Sequence, residues 1–162
     1  MATELRVRRR SRLRNKEVSV VASKIFEAFA IAFDEKQALD AGDYDKTKVY
    51  IAAGRILAFD HDGKVVPSLR FILDNPPKNK HVTVDMGAVK FLCNGADIMG
   101  PGIVNADASI VAGDIVWVRE EKHSKPLAIG IALVSGPEMV RGKGKAVLSL
   151  HYVGDSFWEF ED

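Results

Sequence analysis

The stretch that decides the fold reads Asp85-Met86-Gly87-Ala88-Val89-Lys90-Phe91-Leu92-Cys93-Asn94-Gly95-Ala96-Asp97-Ile98-Met99-Gly100-Pro101-Gly102-Ile103. Its pattern predicts a helix over 86–94 that ends at Gly95. Three glycines within eight residues leave the backbone uncovered, so that a ligand could approach it closely, and Met99 offers a flexible apolar surface. A tight helix-to-strand corner that needs glycine for steric reasons explains the same residues equally well. From these residues alone, a binding site and a structural corner both remain open.

A boundary between two domains is predicted just before this stretch. The segment 74–80 contains Pro76 and Pro77 among polar neighbours, and such a segment cannot continue a helix or join a central strand. We therefore expect a first domain over 16–80 and a second over 81–162. Short β-like runs separated by turn residues, with two short helices, predict that the second domain is a small mixed barrel. Its predicted strands are 82–85, 98–104, 114–121, 127–134, 146–153 and 156–160.

The first domain is predicted to be a small α+β unit. Apolar residues at three-to-four-residue spacing over 16–33 predict an amphipathic helix. The acidic residues around Gly42 predict a loop over 40–45. The remaining predicted elements are strands at 49–53, 55–60 and 64–66, a hairpin turn at 61–63 and a short helix over 67–73.

Charge is distributed unevenly along the chain. Residues 1–16 hold seven basic residues and one acidic residue, whereas the remaining 146 residues hold 16 basic and 21 acidic residues. A basic arm over 1–15 is therefore set against a mildly acidic body, and such arms attract phosphate backbones by releasing counterions. We expect contacts to nucleic acid from Arg8, Arg9, Arg10 and Arg12. A disordered, solubilising tail is the plainer alternative.

No stretch of the sequence predicts a catalytic or metal site. None of the four histidines has a partner four residues away, as a zinc-protease pair would require. The run Gly142-Lys143-Gly144-Lys145 lacks the serine or threonine and the upstream glycine of a phosphate-binding loop, although its lysines could still contact phosphate. We therefore expect a protein that is not an enzyme and that holds no metal and no cofactor.

Membrane insertion and disulfide bonding are also not predicted. No segment reaches the roughly 18 consecutive apolar residues that a membrane span needs. The single cysteine, Cys93, cannot form an intrachain disulfide, which suits a reducing compartment. The expected location is therefore the cytoplasm.

Several motifs together resemble a known family. Asp-x-Gly-Ala-x-Lys at 85–90, followed by Gly-Ala-x-Ile-Met-x-Pro-Gly-Ile at 95–103, resembles the PUA domain, named after pseudouridine synthases and archaeosine transglycosylases. The ending at 150–159 narrows the resemblance to the malignant T-cell-amplified sequence family and the related part of ligatin, both translation factors. Residues 54–59 and 66–70 are similar to the pre-PUA domain of that family. The arginine-rich start departs from the eukaryotic pattern, and the compact length favours an archaeal type.

The resemblance implies a fold, a ligand and a set of contact residues. The fold is α+β, with a small pre-PUA domain followed by a PUA domain, a mixed β pseudo-barrel with short helices. The ligand is structured RNA, either the 3′ region of tRNA or ribosomal RNA, and further partners are the small ribosomal subunit or another translation factor. The implied RNA-facing residues are Gly87, Lys90, Gly95, Ala96, Met99, Gly100, Pro101 and Gly102.

The two tryptophans are predicted to play different roles. Trp117 stands in a run that is apolar on both faces, so we expect it to be buried. Trp158, near the end of the sequence, is a candidate platform on which a base could stack.

The charge of the second domain leaves its function open. Residues 82–162 hold seven basic and eleven acidic residues, a net charge of −4 that is poor for a generic phosphate binder. Either binding is local and shape-based, or the basic arm supplies the attraction, or the domain binds protein. The favoured function is a translation-associated RNA-binding protein. The alternatives are an accessory RNA-binding subunit of an RNA-modification enzyme and a protein-interaction adaptor.

Overall fold

The first domain is built on a five-stranded antiparallel sheet, in a computed structural model that describes residues 6–162. The strands lie side by side in chain order. Three hairpins connect β2 to β5, and each turns at two residues with positive φ, the geometry that suits the twist of paired strands. The strands are β1 (Arg8–Arg12), β2 (Asp40–Tyr44), β3 (Thr47–Ala52), β4 (Arg55–His61) and β5 (Lys64–Pro67).

Helix α1 (Asn15–Phe29) buries one apolar face in the first domain. The carboxylate of Glu17 accepts the N–H of Arg14 and thereby caps the start of the helix. The helix ends at Ala30, which adopts a left-handed conformation, so it is shorter than the predicted range of 16–33. Helix α2 (Leu69–Asp74) follows β5 and is capped by the side chain of Ser68.

One prediction for the first domain is wrong, and one strand was not predicted. The segment 40–45 is not a loop, because its residues 40–44 form β2, and residues 8–12 of the predicted basic arm form β1 beside it. A Cβ atom at Gly42 would lie 2.3 Å from the side chain of Val7, so glycine allows this close crossing. The carboxylate of Asp40 then binds the guanidinium groups of Arg10 and Arg12. The arm's residues 1–5 lie outside the described residues.

The second domain is built on a mixed six-stranded sheet in the order β7-β11-β10-β9-β6-β8, and all pairs except the parallel β6–β9 pair are antiparallel. The sheet curls into a nearly closed pseudo-barrel, which confirms the predicted α+β class. Its elements are β6 (His81–Val84), a 3₁₀ turn (Met86–Ala88), α3 (Val89–Leu92), β7 (Ile98–Met99), β8 (Ile103–Ala106), β9 (Ile115–Glu120), β10 (Pro126–Ala132), α4 (Gly136–Met139), β11 (Lys145–Tyr152) and α5 (Ser156–Glu159).

Two predicted strands of the second domain differ from the structure. The predicted strand 98–104 is interrupted by a 3₁₀ turn at Gly100–Gly102, which separates β7 from β8. The predicted strand 156–160 is wrong, because residues 156–159 form α5. The carboxylate of Asp155 accepts the N–H of Trp158 at 2.9 Å and caps this short helix. A local cap therefore outweighs the strand preference of the aromatic residues that follow.

The two domains pack through a shared apolar contact. Ile115, Trp117 and Ile129 of the second domain belong to the same buried cluster as the core of the first. Trp117 is only 5% exposed, which confirms its predicted burial, and its Nε1–H donates to the carbonyl of Asn79. The folding of residues 81–162 as an independent unit stays a prediction.

A buried histidine adds a polar link between the domains. The Nε2 atom of His151, on β11, accepts the N–H of Leu69 at the start of α2. Because Nε2 accepts, the ring proton sits on Nδ1 and points to the carboxylate of Asp155, 2.8 Å away. The pair resembles part of a catalytic triad in composition, but both ring nitrogens are already engaged and the ring is fully buried. Its observed contacts are therefore structural.

Candidate nucleic-acid interface

An open groove with an apolar lining lies along one side of the second domain, between the 86–92 helical segment and the 96–102 corner. Its volume is about 450 Å³. Phe91 and Met99 are the large apolar side chains exposed in it, at 55% and 48% exposure. Exposed apolar surface of this kind marks an interaction site more often than a chance exposure. The groove is lined by Asp85, Gly87, Ala88, Phe91, Leu92, Ala96, Asp97, Ile98, Met99, Pro101 and Gly102.

Asp85 holds the two walls of the groove together. Its carboxylate accepts the N–H of Ala88 and caps the 3₁₀ turn that begins the helical segment. Its own N–H donates to the carbonyl of Gly102 at 2.9 Å, on the opposite wall. The strand, the helical segment and the corner are therefore fixed relative to one another by one residue.

The predicted glycines divide into two groups. Gly95 has φ +87°, and a Cβ atom there would lie 2.9 Å from the ring of Tyr152, while a Cβ atom at Gly100 would lie 2.4 Å from the carbonyl oxygen of Gly142. These two glycines are required by the fold and do not line the groove. At Gly87 and Gly102 the nearest atom would be 3.4 Å away. Their backbone faces the groove without a steric need for glycine.

The structure brings most of the predicted contact residues together. Gly87, Ala96, Met99, Pro101 and Gly102 all line the groove. Lys90 lies on the exposed side of α3, with its ammonium 5.1 Å from the centre of a neighbouring aromatic ring.

That ring belongs to Phe91, which lines the groove but is not among the contact residues predicted from the sequence. A signal for it was present. Val89 and Leu92 are spaced three residues apart and define the core side of the short helix, so Phe91 points away from the core.

Basic residues lie in segments that adjoin the groove, despite the acidic balance of the domain. The 141–145 turn lies beside the corner, because the N–H of Gly100 donates to the carbonyl of Gly144 and Lys145 pairs with Met99 across the strands. The β9–β10 hairpin lies next to the last residue of β6, because the N–H of Glu121 donates to the carbonyl of Val84. Val84 directly precedes Asp85 of the groove. Together with Lys90, these two segments carry six of the seven basic residues of 82–162, namely Lys90, Lys122, Lys125, Arg141, Lys143 and Lys145.

The two acidic residues of the groove are already neutralised. Asp97 binds the ammonium of Lys145 at 2.8 Å, and this hydrogen bond, helped by the backbone N–H of Ser149, lowers the pKa of Asp97. Asp85 faces the guanidinium of Arg141 at 3.5 Å, and that group also donates to the carbonyl of Pro101. The net charge of −4 therefore does not describe the groove, where acids are paired and Lys90 and Lys143 are exposed.

Trp158 is not brought to the groove. It packs against the core cluster of the first domain, and the guanidinium of Arg70 lies 3.6 Å from the centre of its ring. Arg70 also donates to the carbonyl of Trp158. One face of the ring is thus covered, which argues against the predicted role of Trp158 as an open stacking platform.

The predicted arginines are not equivalent. Arg10 binds Asp40 at 2.8 Å and Asp162 at 2.7 Å, and Arg12 binds Asp40 at 2.5 Å. The hydrogen bonds from Arg12 and then from Arg10 lower the pKa of Asp40. Arg8 and Arg9 are exposed and form no ion pair with any residue of 6–162. We refer to β1, Arg8–Arg12, as the arginine edge.

The described residues contain neither a metal-binding cluster nor a membrane-spanning helix. Within residues 6–162, no three histidine, cysteine or acidic side chains are close enough to hold a metal ion. Over the same range, no helix is both long and apolar enough to cross a membrane.

Comparison with known proteins gives a consistent set of relatives. Residues 80–153 match the PUA domain family. The chain is 40% identical to a protein of Methanocaldococcus jannaschii, over 97% of this chain and 99% of that protein. Translation machinery-associated protein 20 of Schizosaccharomyces pombe is 39% identical over 71% of this chain and 67% of its own length. Malignant T-cell-amplified sequence 2 of Homo sapiens is 29% identical over 73% and 68%, respectively.

A solved structure agrees with this relationship. The crystal structure of a hypothetical protein from Pyrococcus horikoshii superposes with a TM-score of 0.82 at 34% identity. The match covers 93% of this chain and 98% of that one, so it includes both domains.

Proposed function

Because the chain belongs to the PUA-domain family of Translation machinery-associated protein 20 and the malignant T-cell-amplified sequence proteins, we propose that it is a non-catalytic RNA-binding protein of the translation machinery. The resemblance predicted from the motifs at 85–103 is confirmed by these relatives. One observation supports the groove as the RNA-binding site. The groove combines an exposed apolar floor with a rim of basic residues, as expected for a surface that binds unpaired nucleotides.

The groove suits one or two unstacked bases with their phosphates. A base resting on Phe91 and Met99 would gain stacking and apolar contact, worth roughly 1–3 kcal/mol for an aromatic platform. Its edge would face the open backbone at Gly87 and Gly102. The phosphates on either side would reach Lys90 in one direction and the 141–145 turn in the other, where Lys143 is exposed.

The arginine edge would add attraction that does not depend on base sequence. It has no apolar floor, and Arg8 and Arg9 are available for phosphates. We propose that it contacts the RNA backbone while the groove contacts the bases. The ligand is then a structured RNA with an unpaired end or loop, such as the 3′ region of tRNA or a ribosomal RNA element. Further partners are the small ribosomal subunit or another translation factor, and the location is the cytoplasm.

Two groove substitutions test this proposal. Met99→Asp should weaken binding to tRNA about tenfold or more, because the new carboxylate repels phosphate and the apolar contact is lost. Lys90→Ala should weaken it less and should flatten the log–log salt dependence by about 0.7, the value for one phosphate contact on a single strand. Binding is measured by fluorescence anisotropy at several salt concentrations.

Matched controls separate the groove from general charge effects. Val111→Asp adds a carboxylate at another exposed apolar residue outside the groove, and Lys36→Ala removes a lysine from an exposed loop of the first domain. Both controls should bind like the parent. If folded Met99→Asp and Lys90→Ala proteins bind tRNA and ribosomal RNA as tightly as their controls, the groove does not bind RNA. Its apolar floor would then favour a protein partner and the adaptor function.

A further inference from the structure

The residues Phe160, Glu161 and Asp162, which we call the acidic segment, are fixed against the first domain. The ring of Phe160 packs edge-on against Tyr44, with 5.6 Å between ring centres. The N–H of Asp162 donates to the carbonyl of Gly54 at 3.0 Å. An apolar contact and a backbone hydrogen bond therefore hold the segment in place, independently of its charges.

The carboxylates of this segment are directed at arginines of the first domain. Asp162 binds Arg10 at 2.7 Å, and Glu161 lies 3.3 Å from Arg55. The hydrogen bond from Arg10 lowers the pKa of Asp162, so this carboxylate stays ionised. With Asp40 on its other side, Arg10 is held between two carboxylates. Carboxylate oxygens at these distances occupy the positions that phosphate oxygens take on a guanidinium group.

We propose that Asp162, at Arg10 of the arginine edge, and Glu161, at Arg55 of β4, are internal competitors for RNA phosphate. The inference rests on the proposed RNA-binding function. In the free protein, Arg10 and Arg55 are neutralised while Arg8 and Arg9 remain available. RNA makes its first contacts with Arg8 and Arg9, and its following phosphates then displace the carboxylate of Asp162 from Arg10.

The exposure of these ion pairs makes exchange possible. The side chains of Asp162 and Glu161 are 46% and 72% exposed. Ion pairs at such sites contribute little to stability, so a run of phosphates can replace them. A ligand with one or two phosphates gains too little to do so. The segment would therefore favour long phosphate backbones over small anions.

The test compares charge-neutralising variants on one probe, a 12-nucleotide single-stranded RNA. Asp162→Asn should raise its affinity about 1.5- to 5-fold at low salt, the range expected for an exposed ion pair. The log–log salt dependence should steepen by about 0.7, because one more phosphate contact forms. Asp62→Asn is the matched control, since it removes the same charge from an exposed hairpin turn away from the arginine edge. Its affinity should change less than that of Asp162→Asn.

A double-mutant cycle makes the test specific. In an Arg10→Gln background, Asp162→Asn should no longer raise affinity, because the arginine it releases is absent. Equal gains in the parent and the Arg10→Gln background would overturn the proposal, as would an Asp162→Asn affinity equal to that of Asp62→Asn. The melting temperature of each variant establishes that it is folded.

Met99→Asp in the same assay separates this proposal from the proposed function. If Met99→Asp loses binding while Asp162→Asn behaves like its control, only the competitor proposal fails. If the folded parent does not bind the RNA at all, both proposals fail.

Discussion

The groove of the second domain and the arginine edge of the first both present basic side chains, but they differ in what lies beneath the charge. In the groove, Lys90 and the 141–145 turn flank an apolar floor made by Phe91 and Met99. At the arginine edge, the side chains project from a strand at the border of a sheet, and acidic residues lie among them. A surface with a floor can distinguish a base from a phosphate. A surface without one can only add phosphate contacts.

The placement of acidic residues separates the two regions further. In the groove, Asp97 and Asp85 are held by Lys145 and Arg141, whereas the exposed Lys90 and Lys143 form no ion pair within residues 6–162. At the arginine edge, the pairing involves Arg10 and Arg12 themselves, so half of the predicted contact arginines are occupied. Net charge per domain would rank the arginine edge first as an RNA site. The apolar floor made by Phe91 and Met99 instead favours the groove as the proposed main site and the edge as an auxiliary one.

The largest expected effect concerns stability and an aromatic residue outside both regions. Trp158→Ala should lower the free energy of unfolding by about 2–3 kcal/mol, since it removes a half-buried ring from the first core and from Arg70. RNA affinity at a temperature where the variant is folded should be nearly unchanged. Chemical denaturation and an RNA titration measure the two quantities. A stable variant with weak RNA binding would instead make Trp158 part of the interface.

Phe91→Ala should give the largest loss of RNA affinity that is not caused by an added charge. The loss of an aromatic platform for one base corresponds to roughly 1–3 kcal/mol, or about 5- to 150-fold. The salt dependence should stay the same, because no phosphate contact is lost. A change of salt slope without a change in affinity at low salt would show that the groove works by charge alone, and the contrast between the two regions would disappear.

Removing Arg8 and Arg9 should have a smaller effect on affinity than Phe91→Ala, and unlike Phe91→Ala it should change the salt dependence. Arg8→Gln combined with Arg9→Gln should flatten the log–log salt dependence by about 1.4, for two phosphate contacts, and should do so for all single-stranded RNAs alike. Stability should not change, because neither residue forms an ion pair with residues 6–162. The comparison variant is Arg10→Gln with Arg12→Gln, which should lower the melting temperature and leave more of the salt dependence intact. If both double variants changed the salt dependence and the melting temperature equally, ion pairing at the arginine edge would not determine which arginines contact RNA.

The smallest effect concerns the Asp97–Lys145 pair. The pKa of Asp97 is lowered in the folded protein, so the pair stabilises the fold above the ordinary pKa of an aspartate, about 3.9, and this contribution is lost as pH falls below it. Because both side chains are partly exposed, the loss should be below about 1 kcal/mol. Asp97→Asn should remove this part of the acid dependence, as measured by denaturation between pH 5 and 2.5. An unchanged acid dependence would show that the pair does not persist in solution.

Local rules predicted some elements and failed at others for identifiable reasons. The predicted helix over 86–94 is shorter in the structure, where a 3₁₀ turn precedes α3 and α3 ends at Leu92. The left-handed residue Gly95 that follows was predictable, because a positive φ after a helix is a local requirement, and φ there is +87°. The strand at 40–44 was not, because its partner is the arginine edge about 30 residues earlier. The acidic residues around Gly42 are typical of a loop unless arginines are available to bind Asp40. The helix at 156–159 depends on one cap, Asp155, which the aromatic pattern obscures.

The candidate site was predictable where its residues are contiguous in sequence, but not where they come from distant parts of the chain. Gly87, Met99 and Gly102 belong to one contiguous motif, and the groove contains all three. Arg141 and Lys145 lie some 40 residues further along the chain and reach the groove only through the pairing of β11 with β7. That pairing brings together residues that no spacing rule connects. The acidic segment reaches Arg10 in the same way, through tertiary packing.

The central claim is that RNA binds in the groove, and the most direct measurement is ultraviolet crosslinking of the purified protein to tRNA, with the crosslinked peptides identified by mass spectrometry. The account predicts that the main crosslinks fall within residues 85–102, at Phe91 and Met99, with weaker ones at the arginine edge. Crosslinks confined to the first domain, or an undiminished yield from the Met99→Asp protein, would contradict it.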